Sequence, residues 1–142
     1  MEELGISMTG ILVATLANFF VGFLWYTVLF GKTWAREMGF DMSVKPAASA
    51  MVRGMIVNAI GCFLMAYVFA HNMAAWSFVP NMDQMSTAGK IMSSVVFTWL
   101  GFFVPVSLNS IAWESKSWKL FFINTSYHFM MLLASALILN YL

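Results

Sequence analysis

The sequence predicts an all-α fold, an integral membrane bundle of four helices with both termini outside the cytoplasm. Three observations carry this prediction. First, 61% of the 142 residues are hydrophobic and only 9% are charged, whereas a soluble domain carries about a quarter charged residues. Second, four apolar runs, about 6–30, 47–70, 89–113 and 118–141, are each long enough to span ~30 Å of hydrocarbon at ~1.5 Å per residue. Third, the basic residues are segregated. Lys32, Arg36, Lys45, Arg53, Lys116 and Lys119 flank the first and third connections, against Lys90 alone at the second. The positive-inside rule then places the first and third connections in the cytoplasm. The whole of 1–142 reads as one transmembrane domain, and its net charge of +1 gives no reason to expect nucleic acid as a partner.

The first run follows an acidic start, MEELGISM, where a signal peptide would be basic, and is expected to be a retained helix. It closes on GFLWYTVLFGKTW, residues 22–34, where a Trp-Tyr pair gives way to positive charge. Residues 32–39 predict a short interfacial helix that Gly39 ends. Pro46 suits the first turn of the second helix, and Arg53 is expected to snorkel back to the headgroups. The loop at 71–88, with Pro80 and the polar NMDQ stretch, turns the chain between antiparallel helices, and residues 114–117 make a tight second turn. Pro105 is expected to bend the third helix. Trp25, Tyr26, Trp34, Trp113 and Trp118 share the level of the basic residues and read as an aromatic belt. None of the runs has the period-2 alternation of a barrel strand, so helices are the form in which lipid-exposed backbone is satisfied.

Within lipid, helices associate through small residues and a few hydrogen bonds. A seam of this kind recurs every four residues at Gly10, Ala14, Asn18 and Gly22, and again at Gly54, Asn58, Cys62 and Ala66; Gly101 supplies a small residue to the third helix. A second polar group gathers toward the cytoplasmic side. Asn109, Asn124, Tyr127 and His128 share the depth of Trp25 and Tyr26, with Glu114 and Arg53 closing the same end. They form a candidate pocket in the inner half of the bundle, to be set against a packed structural network.

Motifs for chemistry are lacking. There is no GxSxG elbow, P-loop, HExxH or CxxC, and the single cysteine, Cys62, lies inside an apolar run. His71, Met73, Met82 and Met85 are soft ligands of the kind that suit Cu(I). The chain has 13 Met, however, most of them in helices where Met fills gaps, so no metal site is expected. No cofactor is expected either, and the chain does not read as an enzyme.

Gly22, Trp25-Tyr26, Phe30-Gly31-Lys32 and Trp34 look like a G-x-x-W-Y…F-G-K-x-W signature. Trp99-Leu100-Gly101-Phe102, Asn109, Glu114, Lys116, Phe121-Phe122-Ile123-Asn124 and Tyr127-His128 add a second stretch. On these residues the chain resembles the domain of unknown function 1761 family of small bacterial membrane proteins. Where that family often has Ser-Pro after the Trp-Tyr pair, this chain has Thr27-Val28. The resemblance implies a multi-pass protein of the bacterial inner (cytoplasmic) membrane and implies no activity. Three functions compete. The first is a non-enzymatic bundle that self-associates or serves as an accessory subunit of a larger membrane complex. The second is a transporter or channel for a small solute, and the third a lipid- or quinone-binding protein. The expected partners are membrane lipid and either further copies of the chain or a membrane protein complex.

Overall fold

The computed structural model describes residues 5–142, and the acidic Glu2 and Glu3 lie outside them. Ser7 opens α1 (Met8–Phe23), its hydroxyl accepting from the Gly10 amide at 3.0 Å. The helix continues into a π-helical turn, Leu24–Leu29, closed by Phe30 N–H donating to Trp25 O at 2.9 Å. Helix α2 (Gly31–Glu37) lies across the end of the bundle, and Gly39, at φ +73°, ends it in the left-handed region open to glycine. In the loop that follows, the Asp41 carboxylate accepts from the Ser43 hydroxyl at 2.6 Å and the Ser43 amide at 2.9 Å. These bonds hold the Asp41 carboxyl below its usual pKa, the hydroxyl contributing most.

The long helix α3 (Ala48–Trp76) runs past the expected end at 70 because HNMAAW offers no helix breaker before the loop that contains Pro80. A 3₁₀ turn, Met82–Gln84, leads to α4 (Thr87–Thr98), capped by the Ser86 hydroxyl accepting from Gly89 N–H at 3.1 Å. A second π-helical turn, Trp99–Phe103, joins α4 to α5 (Val104–Glu114). Pro105 sits in the first turn of α5. It has no N–H to give the Gly101 carbonyl, and the departure from α geometry falls immediately upstream of it. Ser115, at φ +54°, reverses the chain into α6 (Trp118–Tyr141), whose N-cap Ser117 also donates its hydroxyl to Glu37 at the end of α2.

Four helices are long and apolar enough to cross a membrane: Met8–Leu29, Ala48–Trp76, Thr87–Glu114 and Trp118–Tyr141, of 22, 29, 28 and 24 residues. They run antiparallel in sequence, and α6 is the hub. Its buried residues, among them Leu120, Ile123, Met131, Leu132 and Ala136, face in several directions. Two apolar clusters lie toward the end that holds the described chain ends. Phe69, Ile91, Val95, Leu132 and Ala136 join α3, α4 and α6, and Ile11, Ala14, Ala66 and Ala70 join α1 and α3. The exterior is apolar, with Leu16, Phe20, Val28, Leu64 and Phe102 among the exposed side chains. A surface of that character is suited to hydrocarbon.

At the opposite, basic end the bundle opens. Residues 48–61 of α3 are all exposed except the half-buried Ala59. The seam of α1 is buried at Gly10, Ala14, Asn18 and Gly22, and that of α3 is buried at Cys62 and Ala66. Gly54 and Asn58, expected to pack on a neighbouring helix, are exposed instead, as is Gly101. A Cβ added at Gly54 or Gly101 would meet nothing within 4 Å. The physical reason lies in α1, which leaves α-helical register at Leu24 and turns into α2, so that it offers no wall to this half of α3.

Candidate functional site

The two π-helical turns carry the side chains that grip α6. Trp25 lies in the first and donates its indole N–H to Ile123 O at 2.9 Å. Trp99 opens the second and donates to Thr125 O at 2.7 Å. Each carbonyl has a second lone pair free for this purpose beside its bond within the helix. Tyr26 donates its hydroxyl to Asn124 Oδ1 at 2.9 Å. Its ring meets Tyr127 edge-on at 5.0 Å and Trp34 of α2 at 5.3 Å. Tyr127 is buried, with its hydroxyl over Gly22, where a Cβ would lie 3.1 Å from that oxygen. The His128 ring lies on Phe103 at 4.7 Å and beside Tyr127 at 5.3 Å, and its buried Nδ1 has no hydrogen-bond partner among the described residues.

Trp25, Tyr26, Asn124, Tyr127 and His128 are therefore brought together, as a closed network. The cavity beside Asn124 measures about 10 Å³, at the lower limit for one water molecule. Trp25 and Tyr26 turn inward to α6, whereas Trp113 and Trp118 are 85% and 57% exposed. Asn109, Glu114 and Arg53, expected at the same pocket, are exposed and have no side-chain hydrogen bond among the described residues. Arg53 is carried away on the free half of α3, and Asn109 lies on α5 beyond the second π turn, a helix in which no residue is fully buried.

A second polar contact lies deeper. Asn18 and Ser135, both fully buried, bind each other between α1 and α6. The Asn18 amide donates to the Ser135 hydroxyl at 2.8 Å, and that hydroxyl lies 3.2 Å from Asn18 Oδ1 as its alternative acceptor. Sequence spacing selected Asn18 as a seam residue; Ser135 became its partner only through a contact 117 residues away. Trp99 is the residue of this network that the expected site lacked. The W-L-G-F stretch was a usable signal for Trp99.

Among the described residues no three His, Cys, Asp or Glu side chains are grouped to hold a metal. His71 turns its Nδ1 to Tyr67 O at 2.8 Å, away from a cavity that Met73, Met82 and Met85 line. Around α6 the hydrogen bonds of Trp25, Tyr26 and Trp99 cross between helices at fixed positions, Ile123, Asn124 and Thr125. None of the curated proteins or solved structures compared with the chain matches it. The sequence model of the family described as protein of unknown function (DUF1761) matches residues 9–140, and the chain belongs to that family.

Proposed function

We propose that the protein is a non-enzymatic membrane bundle that self-associates through the basic-end half of α3. One observation carries the reading. The stripe at four-residue spacing that is buried at Cys62, Ala66 and Ala70 continues through Ala50, Gly54 and Asn58, where it is exposed. Asn58 lies ten residues beyond Ala48, the start of α3, about 15 Å along the helix at ~1.5 Å per residue and thus close to the middle of a bilayer. A carboxamide facing hydrocarbon at that depth is costly without a partner. Asn carries both donors and an acceptor, so two copies related by a two-fold axis satisfy each other at this residue. Gly54, one turn away, allows the close backbone approach that such a pair needs.

In this reading the basic end lies in the cytoplasm and both termini lie outside, in the bacterial inner membrane, as the charge asymmetry favours. Reporter fusions at residues 40 and 142 test that orientation. The closed packing around Asn124 and His128 favours an associating bundle over a solute path. The experiment is native mass spectrometry from mild detergent, with photobleaching step counts in nanodiscs. Wild type is expected to be dimeric or larger, and Gly54→Leu with Asn58→Leu to be monomeric with unchanged helix content. A monomeric wild type overturns the proposal. A different protein retained in place of the second copy replaces self-association with the accessory-subunit role.

A further inference from the structure

A cavity lies at the other end of the molecule, and no residue of the network around α6 lines it. It measures about 450 Å³ and is lined by the end of α3, the 3₁₀ turn, α4 from Lys90 to Phe97 and Asn140 near the end of α6. Its size falls within the range of small-molecule sites, ~300–1,000 Å³. Its wall is mixed. Asp83, Lys90, Ser93 and Asn140 supply charged and polar groups to the lining, and Phe97, Met73 and Trp76 supply apolar surface. Lys90 is half-buried, and neither Lys90 nor Asp83 has a side-chain hydrogen bond among the described residues.

Phe97 lies seven residues beyond Lys90 on α4, about 10 Å further along the helix at ~1.5 Å per residue. Its side chain is 67% exposed on the apolar exterior. The cavity thus combines one cationic and one anionic side chain in its lining with an apolar wall that continues onto the exterior. Two neighbouring turns are locally braced. Ser77 Oγ donates to Ala74 O at 2.6 Å, and Gln84 Nε2 donates to Asn81 Oδ1 at 3.2 Å.

We infer that this cavity is a binding site for a zwitterionic phospholipid with a primary-ammonium headgroup, a phosphatidylethanolamine. The Lys90 ammonium and the Ser93 hydroxyl take the phosphate, and the Asp83 carboxylate takes the ammonium with the Asn140 carboxamide as a further acceptor. An acyl chain leaves over Phe97. Asp83 discriminates against phosphatidylglycerol, whose headgroup offers it no positive charge. A quaternary ammonium has no N–H to donate to the carboxylate and is better served by an aromatic cage than by Trp76 alone. The site is independent of the α3 stripe, and its test does not depend on self-association.

The full chain, delipidated in detergent, is titrated with phosphatidylethanolamine, phosphatidylcholine and phosphatidylglycerol, and bound lipid is counted by native mass spectrometry. Wild type is expected to retain phosphatidylethanolamine about fivefold over phosphatidylglycerol, the ratio of about one headgroup charge contact. Asp83→Asn should abolish that preference, and Lys90→Gln should lower retention of both lipids. Asp83 lies on an exposed turn, so the comparison does not hinge on folding. Equal retention of the lipids by wild type, or an unchanged preference in Asp83→Asn, overturns the assignment. Displacement of bound lipid by glycerophosphoethanolamine at equal concentration also overturns it, in favour of a soluble zwitterion.

Discussion

Two polar side chains in the same bundle have opposite circumstances. Asn18 is satisfied by Ser135, whereas His128 keeps a buried Nδ1 without a partner among the described residues. Removing one member of a satisfied pair leaves the other orphaned, while removing an orphan removes its desolvation cost. Asn18→Ala is therefore expected to destabilise the protein by about 1–2 kcal/mol, and His128→Leu to leave stability unchanged or raise it. The midpoint of unfolding in mixed micelles reads both. A His128→Leu protein that unfolds as readily as Asn18→Ala would show that the imidazole makes a stabilising contact. Neither difference is visible in the sequence, where both residues are polar groups within apolar runs.

At the level of elements, the π-helical turns decide the packing. Each places a tryptophan whose indole binds a carbonyl of α6, at Ile123 and at Thr125. The Gly-Phe pairs of the two odd spans adjoin or lie within them, Gly22-Phe23 before the first and Gly101-Phe102 inside the second. Trp99→Phe keeps an aromatic ring against Phe129, which Trp99 meets edge-on at 5.5 Å, but deletes the donor. It is expected to cost about 1 kcal/mol, read as a shift in thermal midpoint in detergent; a loss as large as that of a core truncation would assign the effect to packing instead. Hydropathy and charge made the four spans, the short α2 and the α1 seam legible, because span length and small-residue spacing are local properties. The π turns were not legible. Pro105 marks the second only as a bend, and the first contains no proline at all. The pocket expected around Asn124 depended on a common depth, and depth says nothing of which way α5 and the free half of α3 are rotated.

For the whole molecule, α6 packs against α1, α3, α4 and α5, so neither hairpin is complete without it. The first half of the chain, through α3, keeps its α1–α3 contact at Ile11, Ala14, Ala66 and Ala70 but loses the partners of Asn18, Trp25 and Tyr26. Residues 1–80 produced alone are expected to be degraded in cells, and co-production of residues 81–142 should restore them, with pulse-chase half-life as the readout. Equal half-lives with and without the second half would show that the first hairpin is self-sufficient.

The bond between Asn18 and Ser135 also sets a schedule for biogenesis. Helix α1 carries a carboxamide whose partner lies 117 residues further along the chain and is synthesised after it. In the membrane setting proposed above, Asn18 has no Ser135 to bind throughout that interval, and an unpaired buried carboxamide is costly. The contact that locks the finished bundle therefore forms only once α6 has been made.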